Sequence, residues 1–216
     1  MTATLAPSII SADFRQLQTQ LDLVAPYAKR WHVDVMDGHY VPNLTIGPMI
    51  VEAIRDASQL PQDVHLMITN PDETWEWYAK AGAARIAFHP SESPDPARLL
   101  KTLETAGIAP GIAVNPDVAV ADVRALVDQV EWVIVMSVYP GFSGQKFLPE
   151  ALPKLRELRE LRPDLDLVID GGVSPRNAAD CVEAGASVLV SASAVFGSEN
   201  PAAVAEELAS IGSGQR

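Results

Sequence analysis

Trp31-His32-Val33-Asp34-Val35-Met36-Asp37 is the stretch on which the fold turns. A strand sends successive side chains to opposite faces, so Trp31, Val33 and Val35 share one face and His32, Asp34 and Met36 the other. The apolar face suits packing against helices. The second face then carries a His, an Asp and a Met into an interior that usually holds Val, Ile and Leu, where an unpaired charge is costly.

Seven further apolar runs, rich in β-branched residues, cover residues 5–9, 64–67, 85–88, 111–114, 132–138, 166–169 and 187–191. Longer helical patterns follow them. Asn70-Pro71-Asp72-Glu73 puts a capping residue before a first-turn Pro, and Ser174-Pro175 and Asn200-Pro201 repeat the device. Leu148, Leu152, Leu155 and Leu158 recur at helical spacing and predict an amphipathic helix. Ala81-Gly82 and Ala184-Gly185 read as helix stops. Strand–helix alternation implies a parallel sheet with right-handed crossovers. Shared among eight units, 216 residues leave each room for a strand, a crossover helix and two short loops. The expected fold class is α/β, a single (β/α)8 TIM barrel over residues 1–211, with 212–216 a flexible C-terminal tail. An open doubly wound sheet is the rival. It is weakened because no G-x-G-x-x-G follows the first run.

Composition narrows the class. A hydrophobic share of 48% is that of a globular chain, and a net charge of −12 argues against a nucleic-acid partner. One cysteine makes no internal disulfide. No apolar run reaches the ~18 residues of a membrane helix. The start, Met1-Thr2-Ala3-Thr4-Leu5-Ala6-Pro7, has no basic stretch ahead of an apolar core. A soluble, cytoplasmic protein acting on a small molecule is expected, with no membrane or nucleic-acid partner.

His65 and Met67 share a face in the third run, and Asp170 follows the seventh. His32, Asp34, His65 and Asp170 thus stand near the C-terminal ends of strands, where barrel active sites are built. Two imidazoles and two carboxylates form a candidate set for one divalent ion, Zn, Fe, Mn or Co. An isolated His-x-Asp is more simply a core His bonded to a core Asp. Four such groups at three strand ends favour the metal reading, with an ion-pair cluster as the alternative. Met36, Met67 and Met136 close strands and either fill the core or line the site.

Glycine-rich turns follow two late strands, Tyr139-Pro140-Gly141-Phe142-Ser143-Gly144-Gln145-Lys146-Phe147 and Asp170-Gly171-Gly172. Ser191-Ala192-Ser193-Ala194 follows the last and is placed to open a short helix. Each glycine alone is an ordinary turn residue. Clustered, they let backbone N–H groups approach an anion and predict a phosphate site, held without basic side chains. Other candidates read as structural. His89 is a hydrogen-bonded core histidine, His39 is exposed, and Cys181 is a small buried hydrophobe. Asp13, Asp72 and Asp95 are cap or first-turn residues, and Glu206-Glu207 is a solvated helix face.

Taken together, Leu5-Ala6-Pro7-Ser8-Ile9, His32 to Gly38, Val41-Pro42-Asn43, Asp63 to Met67, Tyr139-Pro140-Gly141-Phe142, Gly144 to Phe147 and Asp170-Gly171-Gly172 resemble the ribulose-phosphate 3-epimerase family, in family order across nearly the whole chain. The resemblance implies metal-dependent interconversion of D-ribulose 5-phosphate and D-xylulose 5-phosphate by a homo-oligomeric enzyme. It implies that His32, Asp34, His65 and Asp170 bind the metal and that Asp34 and Asp170 exchange the proton. Ser8 and His65 would contact the substrate. Gly141, Phe142, Ser143, Gly144, Gly171, Gly172, Ala192 and Ser193 would hold its phosphate end. Two positions depart from the family pattern: Ser143 and Ala192 stand where glycines are usual. They motivate an alternative, a 3-epimerase of a hexulose 6-phosphate. A non-catalytic sugar-phosphate-binding barrel is a further alternative, against which the two intact carboxylates argue. No inward Asp-x-Lys pair supports a decarboxylase.

Overall fold

The computed structural model describes residues 2–214. The eight apolar runs form β1 (Thr4–Pro7), β2 (Trp31–Met36), β3 (Gln62–Met67), β4 (Arg85–Phe88), β5 (Ala109–Val114), β6 (Trp132–Met136), β7 (Asp166–Asp170) and β8 (Val188–Ser191). The helices are α1 (Leu17–Val24), α2 (Pro48–Ala57), α3 (Pro71–Ala81), α4 (Pro96–Thr105), α5 (Val120–Val127), α6 (Ala151–Leu161), α7 (Ala178–Glu183), α8 (Ser193–Phe196) and α9 (Pro201–Ser213). The strands lie parallel in the order β1-β8-β7-β6-β5-β4-β3-β2. A parallel bridge between Ser8 and His32 brings β1 beside β2 and closes the (β/α)8 barrel. No helix among the described residues is long and apolar enough to cross a membrane.

The alternation read in β2 holds around the ring. Trp31, Val33, Val35, Leu66 and Phe88 join the apolar layer beneath the helices. Ala6, Ala87, Ala113, Ile134, Val168 and Val190 fill the interior. Small residues there make room for Trp132. A Cβ on Gly111 would lie 2.4 Å from the Trp132 indole nitrogen, so glycine is required in β5. At the N-terminal mouth the interior is ionic. Arg85 lies over the Trp132 ring at 4.2 Å and donates to Asp63 at 2.5 and 2.7 Å and to Asp166. Such a pairing offsets the cost of burying the Arg85 and Asp63 charges in a barrel floor, with Asp166 partly exposed at its edge.

Several boundaries differ from the sequence reading. The first run stops at Pro7, and Ile9 opens a 3-10 turn capped by Ser8. The sixth stops at Met136, because Ser137 turns to bond the end of β7. Leu148 precedes α6, whose buried stripe is Ala151, Leu155 and Leu158. Asn200 caps α9 through the Ala203 amide, whereas Asn70 occupies the cap position of α3 without a side-chain bond. Asn177, not Ser174, is the N-cap residue of α7. Two residues of the tail expected over 212–216 are helical instead. Gly212 and Ser213 belong to α9, and Gly212 accepts from the Ala3 amide at 2.6 Å. Gln215 and Arg216 lie outside the described residues.

Candidate active site

Parallel register sets polar residues of neighbouring strands at one height. Asp34 pairs with His65, and Asp170 ends β7 opposite Met136. One ligand atom from each of His32, Asp34, His65 and Asp170 lies within 4.8 Å of the others. His32 Nε2 is 3.3 Å from Asp34 Oδ1 and 3.6 Å from Asp170 Oδ2. His65 Nδ1 is 3.4 and 3.6 Å from the same two oxygens. Both imidazoles are fully buried.

Both ring nitrogens of His32, and Nδ1 of His65, are buried without a hydrogen-bond partner. Buried polar atoms are nearly always paired. Two orphaned nitrogens aimed at two carboxylate oxygens therefore fit a divalent cation, and the donor set suits a borderline transition ion. Without a cation the same groups hold protons. Burial disfavours charge on His32, but Asp34 and Asp170 beside it raise its pKa to about 10. Burial works against ionised Asp34, yet His32 and His65 hold it well below the usual carboxylate range. Asp170 is also lowered: burial and the Asp34 charge oppose its ionisation, and the two imidazoles outweigh them. In the cation-free cluster the two imidazoles thus favour the charged form of both carboxylates.

Residues outside the cluster set its aim. The Thr45 hydroxyl donates to the Asp34 carbonyl at 2.7 Å and accepts from the Met36 amide at 2.9 Å. The Ser137 hydroxyl lies 2.9 Å from the Asp170 carbonyl and 2.6 Å from that of Gly171. Each of the two acid-bearing strand ends is thus held by a hydroxyl from a following loop or neighbouring strand end. The sequence reading missed Thr45 and Ser137; the available signal was a hydroxyl residue beside a strand terminus. His89 is buried and hydrogen-bonded as expected, its Nε2 lying 2.9 Å from Nε2 of His65. Ser8 donates to Asp34 Oδ2.

Above the cluster lies a cavity of about 240 Å³. Asp34 and Asp170 stand on its wall, with Met36, Met67 and Met136. Gly141, Phe142, Ser143, Gly144, Gly171, Gly172, Ala192 and Ser193 line it too, so the three late loops do converge. Ser8, His32 and His65 are not on the wall. They sit behind it, each within contact of Asp34. Gly171 and Gly172 take φ of +117° and +63°, and a Cβ on Gly172 would lie 2.7 Å from the Phe147 amide. Those glycines let the end of β7 press against the loop after β6. No non-glycine among the described residues has a positive φ, so neither Ser143 nor Ala192 takes the left-handed conformation that would demand a glycine.

The sequence profile of the Ribulose-phosphate 3 epimerase family matches residues 4–196. The chain is 42% identical over 208 residues to the ribulose-phosphate 3-epimerase of Bacillus subtilis, covering 93% of this chain and 96% of that protein. It is 41% identical over 211 residues to the cytoplasmic isoform of Oryza sativa ribulose-phosphate 3-epimerase, covering 95% and 92%. Among solved structures, 3-hexulose-6-phosphate synthase from Salmonella typhimurium superposes with a TM-score of 0.75 over the full length of both chains at 16% identity, a likeness of fold. A profile match over most of the barrel, close relatives covering nearly the whole length, and a His/Asp cluster at the strand ends lead to one assignment: this chain belongs to the ribulose-phosphate 3-epimerase family.

Proposed function

We propose that this epimerase interconverts D-ribulose 5-phosphate and D-xylulose 5-phosphate, with Asp34 and Asp170 as the two proton-transfer groups. The observation that carries the reading is their placement. They project from β2 and β7, strands separated by β1 and β8, onto the wall of one cavity. Inverting a carbon beside a ketone needs a base on one face and an acid on the other. One carboxylate takes the C3 proton, and the C–H electron pair moves toward the ketone oxygen. The other, protonated, returns a proton to C3 from the opposite face. The two carboxylates therefore titrate as a pair.

His32, Asp34, His65 and Asp170 would hold one divalent ion, Zn, Fe, Mn or Co. When bound, it would supply Lewis-acid stabilisation to the oxygens that gain negative charge. The three methionines present polarisable thioethers that neither donate nor take a proton there. No Lys or Arg among the described residues lines the cavity. The phosphate is therefore assigned to backbone N–H groups of Gly141 to Gly144, Gly171, Gly172 and the Ala192–Ser193 turn, with the hydroxyls of Ser143 and Ser193.

Incubation with ribulose 5-phosphate in deuterium oxide tests the reading, with and without a chelator. Deuterium should enter at C3, and xylulose 5-phosphate should appear. Binding without exchange would make the barrel a sugar-phosphate-binding protein. Faster turnover of a hexulose 6-phosphate in the same assay would move the substrate assignment to the longer sugar.

A further inference from the structure

His65 is backed by a second imidazole. Its Nε2 lies 2.9 Å from Nε2 of His89, and the two rings are 5.1 Å apart, inclined at 31°. His89 follows β4 and is 2% exposed. The Tyr40 ring stacks near it at 4.7 Å. Asn115 donates from Nδ2 to the Tyr40 hydroxyl at 2.8 Å. Lys154 of α6 in turn donates to the carbonyls of Asn115 and Pro116 at 2.7 and 2.8 Å. His89 thus has neighbours that are themselves fixed.

Two imidazole nitrogens at hydrogen-bond distance share a single proton: one donates and the other accepts. Nδ1 of His65 faces Asp34 and Asp170, and it can serve as a metal ligand only without a proton. The proton of His65 then sits on Nε2 and is donated to His89, whose own proton is on Nδ1. We propose that His89 is a positioning residue, which holds His65 in the Nε2–H tautomer with Nδ1 turned to the two carboxylates. This rests on the metal reading of the four-residue cluster. The usual partner behind a metal-binding histidine is a carboxylate, a carbonyl or water. A neutral imidazole does the same orienting work without adding a third negative charge to a centre that already holds two.

The test is cobalt(II) titration of the full-length, metal-stripped protein, followed by visible absorption, for wild type, His89→Phe and His89→Gln. His89→Phe should bind cobalt about 10–100-fold more weakly, with altered ligand-field bands. His89→Gln can accept the His65 proton through its amide oxygen and should recover most of the loss. Wild-type affinity and bands in a folded His89→Phe protein would overturn the role of His89 alone. Absence of cobalt binding by the wild type would overturn the metal reading and this role with it. If His89→Phe does not melt cooperatively, imidazole nitrogen NMR of the zinc-loaded wild type decides. Protons on Nε2 of His65 and Nδ1 of His89 support the proposal, and any other arrangement overturns it.

Discussion

Ser8 donates its hydroxyl proton to Oδ2 of Asp34, while Oδ1 of the same carboxylate faces His32 and His65. The two oxygens of Asp34 are thereby assigned to different partners, one to the cluster and one to the residue that follows β1. Ser8→Ala should lower kcat by roughly 10–100-fold, the worth of a hydrogen bond to a charged group, with bound metal unchanged. Steady-state kinetics and metal analysis read this. A raised KM at unchanged kcat would instead make Ser8 a substrate contact.

Asp170 is the second carboxylate on the cavity wall. Asp170→Asn keeps an oxygen donor but cannot exchange a proton. Turnover should fall about 10²–10⁴-fold, with metal retained or only weakened. Near-normal epimerisation would end the two-carboxylate assignment.

Stripping the divalent ion should abolish activity, and adding Zn, Fe, Mn or Co should restore it for at least one of them. The returning ion should also raise the melting temperature, since it binds the folded cluster and not the unfolded chain. Full activity in a rigorously metal-free sample would refute the metal role.

At the opposite mouth, burial opposes ionisation of Asp166, but Arg85 and a Ser187 hydroxyl keep its carboxyl below the usual range. A folded-state pKa below the unfolded value of about 3.9 gives stability that is complete above that pH and lost as pH falls through the folded value. Asp166→Asn should therefore cost roughly 1.5–3 kcal/mol at pH 7. The gap to wild type should narrow as the pH drops below about 4. Denaturant unfolding across that range checks the sign; a gap that widens in acid would contradict it.

Gly172 takes φ +63°, with the Phe147 amide 2.7 Å from where a Cβ would sit. Gly172→Ala should destabilise the protein by at least about 2 kcal/mol and raise KM, because the loop after β6 must move. Thermal melting and kinetics would expose an error here if both stayed at wild-type values.

The eight strands were legible because β-branched runs recur between helical patterns. The four-residue cluster was legible because period-two alternation assigns His32, Asp34 and His65 to one face of their strands without any distance being known. The ionic floor was not. Arg85 meets Asp63 and Asp166 across 22 and 81 residues of chain, and only the register brings them level. The His65–His89 pair was hidden for the same reason: His89 lies just past its strand, where alternation no longer assigns a face. Thr45 and Ser137 bond strand ends from outside those strands, a relation that periodicity within one strand does not encode. Gly212 looked like part of a frayed tail by composition, yet its carbonyl holds the Ala3 amide.

The barrel closes at a narrow joint. Seven strand pairs run as ladders, whereas β1 meets β2 through the Ser8–His32 bridge and the bond from the Lys29 amide to the Leu5 carbonyl. That clasp is also where the chemistry stands, for Ser8 grips Asp34 across it and His32 is one of its two teeth. Warming that loosens the clasp pulls the site apart while the other ladders still hold. Heat should therefore silence this enzyme before it melts it, and backbone amides at the joint should exchange with solvent ahead of those in the rest of the ring.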